Sequence, residues 1–100
     1  MVRVLYRWRL EDGRRDAFID WWHQGTLEIR RDWPGALGST LMSDPSDPHH
    51  IAAIARWRSR EDVDAFWTAA ASRLFDGAHL ETIEIFDVVD DLAGDVHDPA

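Results

Sequence analysis

One hundred residues supply a single hydrophobic core and are too few for two. With 45% hydrophobic and 30% charged residues the composition is that of an ordinary globular chain, and no apolar run approaches the roughly 20 residues that cross a bilayer. The net charge is -8, and its excess sits at the C-terminal end. Residues 1–75 hold all 11 Arg and 11 of the 19 acids. Such an acidic last quarter argues against nucleic acid and against anionic membrane as partners. No cysteine is present, which removes disulfides, thiol nucleophiles and Cys-ligated metals. The N-terminus enters an Arg-studded apolar run without the pattern of a signal peptide, so the expected location is the cytoplasm.

The first element is a strand. Val2, Val4, Tyr6, Trp8 and Leu10 alternate with Arg3, Leu5, Arg7 and Arg9. Glu11-Asp12-Gly13 turns the chain, and a helix is expected from about Arg14 to Asp32 with Asp12 as its N-cap. On that helix Phe18, Trp21, Trp22, Gly25, Ile29 and Trp33 share one face, a wide apolar strip that must lie on a sheet. Pro34 stops it. Ala36–Met42 reads as a second strand, Ser43–His49 as a turn with two Asp-Pro pairs, and His50–Trp57 as a third strand. Ser59 caps a second helix that runs to about Phe75, with Val63, Phe66, Trp67, Ala70 and Leu74 on its apolar face. The last strand is expected over Ile83–Val89. Residues 1–90 then form the domain, and 91–100 an acidic tail.

The order β-α-β-β-α-β predicts an α+β, ferredoxin-like fold: a four-stranded antiparallel sheet with two helices on one face. Large apolar residues nevertheless stand on both sides of the strands, with Leu5 opposed to Tyr6, Ile54 to Trp57 and Phe86 to Ile85. A sheet covered on one face in water reads apolar inside and polar outside. The expectation is that a second copy of the chain buries the other face, making a homodimer.

Three stretches carry a family likeness: VLYRWRLEDGRRDAFIDWW at the start, RRDWPGALGSTLM after the first helix, and IAAIARWRSREDVDAFW into the second. Together they resemble the antibiotic biosynthesis monooxygenase (ABM) superfamily of dimeric α+β barrels, over about residues 2–89. The resemblance implies a dimer whose two sheets close a barrel, and a pocket in each subunit between sheet and helices. It spans cofactor-free monooxygenases of polyketide aromatics, haem-degrading enzymes and other small-molecule proteins. The cofactor-free members oxidise electron-rich phenols that themselves form a carbanion reactive toward oxygen.

Six Trp are more indole than a core of this size requires. They can be packing, or they can wall a pocket for a flat aromatic ligand. On the second reading Trp8, Trp22, Trp57 and Trp67 bind substrate, with Arg56 as a donor to a phenolate or enolate. A base is then needed, and the candidates are His23, His79, Tyr6 or a carboxylate. His79 falls near the axial histidine of the haem-degrading relatives, but the spacing from Trp to His is not theirs and the first strand has no Asn, which disfavours haem degradation. His49 and His50 are adjacent on an extended segment and point opposite ways, so no metal site is expected. The scattered glycines make no dinucleotide or phosphate loop, so no cofactor is expected. The function expected is a small dimeric, cofactor-independent monooxygenase of an aromatic or quinonoid compound. The alternative is a non-catalytic dimeric barrel that binds a small hydrophobic ligand or serves as a stress or pathway accessory protein.

Overall fold

A computed structural model describes residues 1–70 and 74–92. Strand β1 (Val2–Leu10) has the expected alternation: Val2, Val4 and Leu10 are buried, whereas Arg3, Leu5, Arg7 and Arg9 point to the opposite face. Helix α1 (Arg15–Asp32) follows. Its cap position is taken by Arg14 without a side-chain hydrogen bond, so the expected capping by Asp12 does not occur. Asp12 meets the His49 ring instead, and the helix start is tied down by the Arg14 guanidinium, which donates to the Asp76 carbonyl at 3.0 Å. At the other end Trp33 is extended, with φ -122° and ψ 101°, because the ring of Pro34 bars the helical region to the residue before it.

Strand β2 (Ala36–Asp44) and strand β3 (Asp47–Trp57) are longer than expected, and the turn between them shrinks to Pro45-Ser46. The Asp44 carboxylate accepts from the Ser46 amide at 2.9 Å and from its hydroxyl at 2.7 Å, a local turn that lets pairing continue almost to the loop. Those bonds, led by the Ser46 hydroxyl and followed by His50, hold Asp44 at a pKa of about 2.

Helix α2 (Arg60–Ala69) begins at Ser59, whose hydroxyl oxygen accepts from the Asp62 amide at 3.2 Å. It ends before the expected Phe75; residues 71–73 lie outside the described residues. Strand β4 (Ala78–Asp87) starts five residues earlier than expected and takes in His79. Past it, the Val88 amide donates to the Met1 carbonyl at 3.0 Å and Arg3 meets Asp91 at 2.6 Å. Residues 93–100 of the expected tail lie outside the described residues.

The sheet order is β2-β3-β1-β4 with every neighbour antiparallel. β1 and β2 therefore run parallel with β3 slotted between them, and β3 and β4 run parallel around β1. Each helix joins one such split pair, which places both helices on the same face: the ferredoxin-like fold expected. The opposite face carries Leu5, Ile54 and Phe86, the last two 36% and 52% exposed, among arginines and acids such as Arg7 and Glu84. Leu41, by contrast, faces the helices in register with Ala53. No helix among the described residues is long and apolar enough to cross a membrane.

Candidate functional site

The helix-covered face holds a core in two pieces. One gathers Val2, Val4, Ala55, Trp57, Val63 and Phe66, and the other Leu10, Phe18 and Ile51. Between them lies a cavity of about 430 Å³, within the usual size of a small-molecule site. Its origin is a set of small side chains at facing positions. The inward residues of β3 are Ile51, Ala53, Ala55 and Trp57, large at the ends and small in the middle. Opposite that floor stand Gly25 of α1 and Ala70 at the end of α2. Neither floor nor roof reaches across, and the space stays open.

Indoles form the walls. Trp8 of β1, Trp21 and Trp22 of α1, Trp57 of β3 and Trp67 of α2 all line the cavity. Trp8 is fixed by stacking on Tyr6, with ring centroids 5.5 Å apart and planes 11° apart, and by Phe18 edge-on at 5.1 Å. Tyr6 also lines the space, and its oxygen accepts a hydrogen bond from the Trp67 indole N–H at 3.0 Å. Since an indole nitrogen only donates, the phenol must be the acceptor in this pair. The phenolic proton itself has no acceptor among the described residues and is left for a ligand. Burial pushes the Tyr6 pKa up, against a smaller downward pull from Trp67, so at neutral pH Tyr6 is a neutral hydrogen-bond donor.

Arg56 borders the cavity where β3 pairs with Gly38, beside a bulge in β2, but it alternates with the inward Ala55 and Trp57 and is paired with Arg3, so its side chain belongs to the opposite face of the sheet and the expected donor role is not met. The two histidines lie elsewhere. His23 is exposed on α1 and is not in the lining. His79 pairs with Arg9 on the outer register of β4, its Nε2 2.9 Å from Glu11, in a shallow surface cleft that also holds Asp12 and His49. Among the described residues no imidazole and no carboxylate lines the cavity, and no group of three or more His, Asp or Glu is placed to hold a metal ion.

Sequence reasoning left out Trp21, Thr26, Arg30 and Ser39, all of which line the space. It also left out the small residues that create it. The signal was present: two alanines on successive inward positions of a core strand, and a glycine inside a helix, where it costs about 1 kcal/mol relative to Ala.

The antibiotic biosynthesis monooxygenase family model matches residues 1–75. The chain belongs to this family. No curated protein matches it. Among solved structures, a protein described as an antibiotic biosynthesis monooxygenase from Chloroflexus aurantiacus J-10-fl is 24% identical over 90% of this chain and 94% of its own, with a TM-score of 0.69. SnoaB, a cofactor-independent oxygenase from Streptomyces nogalater, is 17% identical over 93% and 97%, with a TM-score of 0.72. A variant of MhuD with two manganese protoporphyrin IX molecules bound per active site is 20% identical over 94% and 100%, with a TM-score of 0.73. At such identities the likeness establishes the ABM fold and leaves the chemistry to be argued from the cavity.

Proposed function

We propose that this ABM protein is a cofactor-independent monooxygenase that oxidises an electron-rich aromatic or quinonoid small molecule with O2. The observation that supports this reading is the hollow itself: about 430 Å³, walled by Trp, with a neutral phenol in its wall held by an indole. For an anthrone-type substrate the reaction balances without a cofactor. The methylene carbon loses two hydrogens and gains a carbonyl oxygen from O2, the other oxygen leaves as water, and the substrate supplies all four electrons.

In that reaction the protein's work is to favour the substrate anion and to exclude water. Tyr6 donates to the substrate oxygen on which charge gathers, and Trp67 holds Tyr6 in place for it. Trp8, Trp22 and Trp57 clamp the ring system. The first proton passes to water at the cavity mouth, since no protein base lines the site among the described residues. His23 and His79 stand outside this scheme. A homodimer completes it: the face with Leu5, Ile54 and Phe86 is covered by a second copy, so light scattering gives twice the 11.5 kDa chain mass.

The test is oxygen uptake with an anthrone-type substrate. One O2 is consumed per quinone formed, Tyr6→Phe lowers kcat about a hundredfold or more, and His23→Ala leaves it unchanged. The lack of a lining imidazole or carboxylate favours a second reading, a non-catalytic ligand-binding barrel. Saturable binding without oxygen uptake establishes the second and removes the first.

A further inference from the structure

The inward side chains of β4 are covered unevenly. Ala78 packs against the core piece around Phe18, and Ile85 against the piece around Val4. Between them Leu80 and Ile83 line the cavity, and each is 43% exposed. Residues three apart on a regular strand point to opposite faces. A bulge changes that here. Leu80 pairs with Trp8, Thr82 with Arg7 and Ile83 with Tyr6, which leaves Glu81 as the extra residue. The Glu81 carboxylate meets Arg9 at 3.5 Å, and Leu80 and Ile83 are both brought to the hollow. The helix layer does not cover them. The ten residues of α2 span about 15 Å, whereas the ten of β4 span about 33 Å. Leu74, 79% exposed, adds a third apolar side chain to the same rim. Among the described residues, α2, β4 and the segment between them contribute no charged side chain to the cavity lining.

We propose that the rim of Leu74, Leu80 and Ile83 holds an aliphatic chain of the ligand, so that the compound bound here is an aromatic or quinonoid ring with an alkyl-type substituent beside the oxygen that Tyr6 holds. The inference rests on the ligand-binding reading above and narrows it. Apolar side chains gathered at one opening mark a surface that something apolar covers. The occupant is part of the ligand because the rim is continuous with the cavity wall: the side chains that reach solvent are the ones that line the hollow. Ile83 is also the register neighbour of Tyr6, so a ring oxygen bound to that phenol has Ile83 beside it. The ring lies among the indoles, and its substituent leaves between α2 and β4. A second copy of the chain has its own apolar face, with Leu5, Ile54 and Phe86 on the other side of the sheet.

Quenching of Trp fluorescence by two matched probes tests this: a methyl- and a hexyl-substituted naphthoquinone, each with its substituent on the carbon next to a carbonyl. Full burial of a methylene is worth about fourfold in affinity, and a chain on a half-open rim gains about twofold for each. The hexyl compound therefore binds about 30-fold more tightly than the methyl compound. Leu80→Gln and Ile83→Thr each remove about fivefold or more of that advantage and leave the methyl compound unchanged. Both positions are half exposed, and Thr keeps the β-branch that suits a strand, so folding is preserved and circular dichroism checks it. Equal binding of the two probes, with Trp8→Ala weakening both, overturns the proposal and leaves the cavity as a binding site. So does a hexyl advantage that survives both substitutions. A smaller mass in light scattering for Leu80→Gln shows that a second copy covers the rim, and it too overturns the proposal. Failure of both probes to quench overturns the cavity reading as well.

Discussion

Phe18 and Ala53 stand under the same helix layer and have opposite surroundings. Phe18 is fully buried, with Trp8 edge-on at 5.1 Å, Trp21 at 5.6 Å and Phe75 edge-on at 5.5 Å. Ala53 is buried to the same degree but opens onto about 430 Å³ of empty space. Both regions draw on the same residue type, tryptophan, and in the first the rings fill volume while in the second they enclose it. The difference lies in what stands across from them. Aromatic against aromatic makes a plug, and aromatic against alanine or glycine makes a hollow. Stability on this fold therefore belongs to the plugs, at the two ends of the helix layer, and the space between is free to serve a ligand.

The sharpest way to break that contrast is to empty a plug. Phe18→Ala removes a ring that touches three others, and is expected to cost about 3–5 kcal/mol, read as a lower midpoint in urea with an unchanged slope. A cost below about 1 kcal/mol would show that this end is as loosely filled as the middle.

The opposite manipulation is to fill the hollow. Gly25 lies inside α1 and lines the cavity. Gly25→Ala is expected to raise stability by about 1 kcal/mol through helix propensity alone, while weakening binding of a planar aromatic. A gain in stability with a loss of binding identifies the glycine as held for the site rather than for the fold. A loss of stability would place solid packing where the structure has space.

The fold was legible because its signals are periodic and local. The alternation in β1 gave its bounds to the residue, and the Trp33-Pro34 stop and the Ser59 cap gave the facing ends of α1 and α2. Errors fell where tertiary contacts override local preference. Asp12 has the composition of a cap, but His49 draws it away. Largely exposed Ala78–Thr82 has no strand pattern of its own, yet it pairs because β1 offers it an edge. The site was legible in half. Tyr6, Trp8, Trp22, Trp57 and Trp67 were named from residue type and line the cavity, whereas Arg56 borders it from a position whose side chain belongs to the opposite face of the sheet. A void is defined by what is missing, however, and Ala53, Ala55 and Gly25 attract no notice in a search for chemistry. Histidines draw that search by their titration range alone, and here none of the described ones lines the cavity.

Tyr6 sits on the boundary between plug and hollow, and it reports on both. It is the only tyrosine in the chain, so the tyrosinate absorbance band on alkaline titration belongs to it alone. Burial raises its pKa above the usual 10.0, and the Trp67 N–H, which favours the phenolate, partly offsets that. The folded state therefore prefers the neutral phenol. Its contribution to stability is complete below about pH 10 and is lost as pH rises from there through the folded value. Trp67→Phe deletes the N–H while keeping the wall apolar, and is expected to move the titration midpoint further up. Tyr6→Phe should abolish the band and flatten the alkaline loss of stability. A midpoint at the ordinary value would mean that water fills the cavity and reaches the phenol, and the hollow would then be a wet groove rather than a dry site in which one hydrogen bond to a substrate anion carries weight.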